Sequence, residues 1–291
     1  MHIIRKLQPL FVALALIFIV LLLRSQWAEL SNHTWRLSLP WLLGSALFLL
    51  LAWALEIQIW RLLLRVVGGD VPYWPALRIW FISAIARYVP GNIWQPLSMT
   101  VMCQRRAITP TVTLISIVFY QILTLLAALP VAAVYVGITG NWGLLTETLA
   151  AWTPWLVTGG LLPVAVFLAR PAVLLDLVNW ALVKFKRAPL AAEITRPLAF
   201  RLLLLAVFDW LLWGTSFALL TFALQEYSAA DMLRLLPHLV ASYAIAYTIG
   251  FVSLLTPSGL GVREGAFYVL LAPLLGGGAV TVAALAMRIW T

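Results

Sequence analysis

The sequence predicts an all-α, polytopic membrane protein with about seven or eight transmembrane helices. Three observations carry that expectation. Of the 291 residues, 64% are hydrophobic and only 10% are charged, whereas a soluble globular domain carries roughly 25% charged residues. The mean hydropathy is +1.01. The apolar residues come in continuous runs of about the ~20 residues that a bilayer-spanning helix needs, instead of the alternation of a transmembrane β-barrel. These features exclude a soluble enzyme, a nucleic-acid binder and a disordered chain.

The elements follow in order. MHIIRK leads into an apolar run to Leu23. No small-residue cleavage site follows and further apolar runs do, so this is read as an uncleaved first helix. Further spans are expected at about Pro40 to Trp60, Val112 to Val136, Thr153 to Ala169, Leu202 to Leu224 and Leu235 to Leu255. Residues 171–187 end in KFKR, which suits an interfacial amphipathic helix, with a short crossing as the alternative. Residues 74–104 and 256–276 are apolar but cut by Pro and Gly, and both are read as re-entrant or broken helices. Residues 277–291 would make about 22 Å of helix against a hydrocarbon core of ~30 Å. The sequence is therefore expected to stop inside its last spanning helix, with Arg288 as a buried cation in need of a partner. The competing expectation makes Trp290 the interfacial anchor of a half-spanning helix. The whole is read as a single transmembrane domain, residues 1–291, with half-repeats over about 40–140 and 200–291.

Charge orients these spans. Nineteen Lys and Arg stand against ten Asp and Glu. With the N-terminus cytoplasmic, fourteen of the nineteen fall on inside segments, and only Arg24, Arg36 and Arg234 fall on outside loops. That is a strong positive-inside bias, so the net charge of +9 speaks for anionic lipid surfaces and not for nucleic acid. Many of the fifteen Trp lie near segment ends, such as Trp41, Trp60, Trp152, Trp155 and Trp290, as an interfacial aromatic belt requires. Cys103 is the single cysteine, and His2, His33 and His238 are scattered. No disulfide framework or metal motif results, and no cofactor is expected. GxxxxGK[ST], HExxH and GxSxG are all absent, so neither an ATP-driven pump nor a catalytic activity is expected of this chain.

Two segments carry candidate chemistry. In TPSGLGVREG, residues 256–265, Pro257 ends the preceding helix and Gly259 and Gly261 open backbone angles closed to other residues. A new helix is expected near Val262. Its unpaired first N–H groups and its dipole favour an anion, and Arg263 adds a planar fork of donors suited to phosphate. Glu264 favours the helix start, and mutual neutralisation with Arg263 is the plainer alternative for the pair. Ionisable residues at membrane depth cost at least ~2.5 kcal/mol each and are functional by default. The second segment, ARYVPGNIWQP, repeats the pattern. Pro90 and Gly91 break the chain, Asn92 is placed to cap the next helix, Arg87 stands before the break, and Tyr88 and Trp94 flank it. Such paired breaks point to a transporter-type repeat with a central site, at which Arg87 and Arg263 are expected to converge.

RYVPGNIWQ and PSGLGVREG resemble the paired motifs of the lysylphosphatidylglycerol synthase transmembrane region family, the flippase-type domain that precedes the aminoacyl-transfer domain in multiple-peptide-resistance proteins. The resemblance covers nearly the whole chain, and Ser258 stands where the family often shows Gly. It implies lipid handling in a bacterial inner membrane. Residues 1–291 hold no soluble catalytic segment, so aminoacyl transfer is not implied.

Two more charges lie within spans. Glu56 sits five positions before Arg61, so snorkelling to the interface competes with a functional role. Asp209 is expected about seven residues into its helix, roughly 10 Å deep, facing inward toward a cation such as Arg263 or Arg87. Gln58, Gln121 and Tyr247 are candidates for interhelical hydrogen bonds. The function expected is a lipid flippase or lipid-binding transporter for a phosphate-bearing headgroup, either an anionic phospholipid or a polyprenyl-phosphate-linked lipid. Arg263, Glu264, Arg87, Asn92, Trp94, Gly259, Gly261, Asp209 and Glu56 form the candidate substrate site. The alternatives are an accessory subunit presenting a polyprenyl-linked or glycolipid substrate to a lipid-modifying enzyme or glycosyltransferase, and an ion-coupled transporter of a small anion.

Overall fold

The computed structural model describes residues 37–85, 93–139, 153–184, 186–253 and 259–291, together with Val20 and Arg24. All regular elements among them are helical. Ten helices follow in order: α1 Leu39–Val66, α2 Tyr73–Ile85, α3 Trp94–Gln104, α4 Pro110–Thr139, α5 Thr153–Ala169, α6 Ala172–Lys184, α7 Arg196–Leu224, α8 Ala229–Val252, α9 Val262–Leu275 and α10 Gly277–Trp290. The first apolar run, to Leu23, lies mostly outside the described residues.

Proline marks the starts. Pro40, Pro75, Pro96, Pro110, Pro154 and Pro197 each stand within the first three positions of their helix. The missing N–H costs nothing there, and the fixed φ suits the helix. α8 starts differently, with the Ser228 hydroxyl accepting the Asp231 N–H at 3.1 Å and Asp231 in the first turn.

Among the described residues, α1, α4, α7 and α8 are long and apolar enough to cross a membrane. The pair α5–α6 makes a fifth candidate, bent by 87°. The bend falls at Arg170–Pro171, so residues 171–187 do begin as a separate helix, which ends at Lys184. Within the described residues a helix covers each expected run, but the bounds differ: the helix expected over Leu235 to Leu255 runs from Ala229 to Val252. α1 continues past Trp60 to Val66, and α7 starts at Arg196 instead of Leu202.

The chain forms two compact units, divided within α1 after Ala52 and within α7 after Asp209. In the first unit, residues 37–52 pack against the C-terminal part of α7. The Ser45 hydroxyl donates to the Ser216 carbonyl at 2.8 Å, and the Ser216 hydroxyl donates to the Ser45 carbonyl at 3.0 Å. Such hydroxyl exchanges suit helix pairs in lipid, where small residues let backbones approach. Gly214 is the extreme case, since a Cβ there would lie 2.3 Å from the Val240 carbonyl oxygen on α8. α8, α9 and α10 then pack in sequence, around an aromatic core in which Trp213 stacks on Tyr243 and Phe217 meets Phe267.

The second unit holds the rest of α1, α2 to α6 and the start of α7. Its core is Trp60, fully buried, with its indole donating to Ser116 at 3.1 Å and its ring against Trp80, which in turn meets Tyr120. In the turn after α1, Arg65 donates to Asp70 at 2.7 Å, and this bond holds the exposed Asp70 carboxyl below its usual range.

Candidate functional site

α8 ends at Val252, and α9 begins at Val262, at the position expected from the sequence. Residues 254–258, including Pro257, lie outside the described residues. Gly259 and Gly261 both take positive φ, +65° and +80°. Gly259 also touches α8, because a Cβ on it would meet the Gly250 Cα at 2.9 Å. Two constraints, one angular and one steric, therefore require glycine at 259. They fix the first turn of α9 against the last turn of α8.

Neighbouring residues on a helix point about 100° apart. Arg263 and Glu264 accordingly face different partners, and the alternative of mutual neutralisation gives way. The Arg263 guanidinium carbon lies 4.8 Å from the Tyr243 ring centre, 5.7 Å from Tyr247 and 5.7 Å from Phe267. Phe267 is four residues on, on the same face of α9. Tyr247 is thus a ring neighbour of this cation, and its ring also meets Trp210. One guanidinium nitrogen, Nη2, is buried and has no hydrogen-bond partner among the described residues.

Glu264 is 3% exposed and both of its oxygens are engaged. Oε2 accepts the Gly261 N–H at 2.7 Å, and Oε1 forms an ion pair with Arg288, 3.2 Å from its Nε. Arg288 therefore has the partner it was expected to need, although the pair itself was not foreseen. A signal for it exists. Glu264 and Arg288 each lie twelve positions from Gly276, and Gly276, with φ +84°, is where α9 turns into α10. A hairpin at that glycine sets the two residues opposite each other. The net formal charge of Arg263, Glu264 and Arg288 together is +1.

The remaining candidates lie elsewhere. Glu56 is half-buried on α1 and accepts a hydrogen bond from the Tyr120 hydroxyl of α4. Arg61 bonds Gln58 at 2.6 Å and the Val71 carbonyl at 2.8 Å, so Gln58 serves its own helix and not an interhelical bond. Gln121 Nε2 is buried with no partner among the described residues. Asp209 is 6% exposed. It is the fourteenth residue of α7, about 20 Å along the helix from its start, because α7 begins six residues before the expected Leu202. Glu56 and Asp209 belong to the second unit. Trp94 opens α3 and is 39% exposed. The N-cap of α3 is Ile93, without a side-chain cap, and not Asn92 as expected. Arg87 and Asn92 lie outside the described residues, as does the expected convergence of Arg87 with Arg263. Among the described residues, no three His, Cys, Asp or Glu cluster in a way that could hold a metal ion.

No curated protein matches the chain. The model of the family described as lysylphosphatidylglycerol synthase TM region matches residues 9–291. The protein is a multi-pass membrane protein, and it belongs to the lysylphosphatidylglycerol synthase TM region family.

Proposed function

We propose that the protein binds and translocates a membrane lipid with a phosphate-bearing headgroup, and that Arg263 anchors the phosphate. One observation carries this reading. Arg263 is held between aromatic rings, has no carboxylate partner among the described residues and keeps a buried nitrogen without an acceptor. Aromatic faces offset part of a cation's desolvation, about 0.5–2 kcal/mol, which is less than a guanidinium at membrane depth requires. A phosphate oxygen supplies what is missing, and the planar fork of arginine suits it. The positive φ values at Gly259 and Gly261 let backbone approach the same headgroup, next to the first N–H groups of α9. The family's association with a lipid-modifying enzyme supports a lipid over a soluble anion.

In this reading Glu264 shapes the charge of the site. Arg87, Asn92 and Trp94, at the other chain break, are proposed headgroup contacts. Asp209 and Glu56 are proposed to take a cationic part of the headgroup or a proton. The membrane is proposed to be a bacterial inner membrane, with the N-terminus cytoplasmic. The test is a proteoliposome assay with fluorescent lipids of equal chain length, one with an anionic phosphate headgroup and one an uncharged diacylglycerol. Protein-dependent inversion of the phosphate-bearing lipid is expected to exceed the protein-free rate. Binding without inversion would favour the presenting subunit, and uptake of free phosphate with no lipid inversion would favour the small-anion transporter.

A further inference from the structure

The anion reading assigns a task to Arg263 but none to the buried ion pair beside it. Glu264 is adjacent to Arg263 in sequence and 3% exposed. Where a membrane or protein interior replaces water, a carboxylate this near would cancel much of the attraction of Arg263 for an anion, because charges act further at low dielectric. Two features remove that opposition. The first is direction: Glu264 projects about 100° around α9 from Arg263, and its carboxylate meets Arg288 of α10. The second is Arg288, whose Nε lies 3.2 Å from Glu264 Oε1 and which reaches it from the last turn of α10. The other carboxylate oxygen is taken by the Gly261 N–H.

We infer that Arg288 is a positioning residue for the anion site: it neutralises Glu264 and holds it against the start of α9, so that the charge of Arg263 stays available to a phosphate group. The inference rests on the reading of Arg263 given above and adds a specific role for the α9–α10 hairpin. It also explains why a buried carboxylate sits beside an anion site. Glu264 fixes the Gly261 turn, and Arg288 cancels its charge. Replacing Arg288 by Met leaves the triad at net zero, whereas replacing Glu264 by Gln as well restores net +1. Gln keeps an acceptor for the Gly261 N–H.

The experiment titrates the purified full chain in detergent micelles with short-chain phosphatidylglycerol, read as bound fraction by native mass spectrometry. Uncharged diacylglycerol and inorganic phosphate are the comparison ligands. Arg288→Met is expected to bind phosphatidylglycerol about tenfold more weakly than the parent. Arg288→Met with Glu264→Gln is expected to recover to within about threefold, and Glu264→Gln alone to bind at least as tightly as the parent. Diacylglycerol binding should not change across the series. Diacylglycerol binding separates a charge role from a folding role, since a hairpin loosened by an uncompensated Glu264 would weaken binding of both lipids, whereas loss of charge at the site weakens only that of the anionic one. Parent-like binding by Arg288→Met, or no recovery in the double variant, overturns the inference. Parent-like binding by Arg263→Ala would overturn the underlying site instead. Phosphate competing at the same site with equal affinity would assign it to a free anion and not to a lipid headgroup.

Discussion

Arg263 and Gly259 show how single residues set up the site. The guanidinium rests on Tyr243 at 4.8 Å, and Tyr243 is held in turn by Trp213, parallel within 4°. The position of α9 beneath it depends on Gly259, whose φ of +65° and 2.9 Å approach to Gly250 leave no room for a side chain. Gly259→Ala should therefore cost about 1–3 kcal/mol of stability and depress lipid translocation. A thermal unfolding midpoint equal to that of the parent would contradict the described turn. Gly250→Ala, whose Cβ would meet the Arg263 Cβ at 3.2 Å and no atom closer, should cost less in the same measurement. A second residue-scale prediction concerns Tyr120. Its hydroxyl donates to Glu56, so Tyr120→Phe should destabilise by about 0.5–1.5 kcal/mol through the lost hydrogen bond, as read by denaturant or thermal unfolding. At this scale the sequence shows which charges matter but not whom they meet. Arg263 and Glu264 stand out as ionisable residues in an apolar run, but the partner of Glu264 is fixed by a turn twelve residues away.

Helices were the most legible level, for a physical reason. A spanning segment must satisfy its backbone internally and shield it with apolar side chains, so each long helix is written as one apolar run. Boundaries were less legible. α7 starts at Arg196 and α1 runs to Val66, because charged residues continue a helix past the apolar stretch where their heads can reach water. The bend between α5 and α6 follows Pro171, whereas Pro130, Pro163, Pro237 and Pro273 lie within continuous helices. Residue type alone does not separate these cases. The crossing of α7 and α8 gives a prediction at this scale. Gly214→Ala places a Cβ 2.3 Å from the Val240 carbonyl oxygen and should force the helices apart, at about 1–3 kcal/mol. Gly137→Ala, with nothing within 4 Å of its Cβ, should be neutral or stabilise by up to about 1 kcal/mol. Equal melting temperatures for the two variants would contradict the close crossing.

At the scale of the whole molecule, family membership and the four long apolar helices among the described residues describe a multi-pass membrane protein, and its charge bias gives a sided prediction. Glu193 and Glu226 flank α7 and are both exposed. In a Cys103→Ala background, where no other thiol remains, cysteine at 193 should react with an impermeant maleimide only from the cytoplasmic side, and cysteine at 226 only from the opposite side. Reaction of both from one side would contradict α7 as a full crossing. The proposed two-pronged hold of Arg263 on a phosphate group is tested most directly by comparing Arg263→Lys and Arg263→Ala with the parent protein in the proteoliposome assay with the anionic fluorescent lipid. Arg263→Ala should fall to the protein-free rate, and Arg263→Lys should recover only a small part of the parent rate, because a point charge replaces a planar fork. Parent-like inversion by Arg263→Lys would contradict the two-pronged contact, and parent-like inversion by Arg263→Ala would contradict the site.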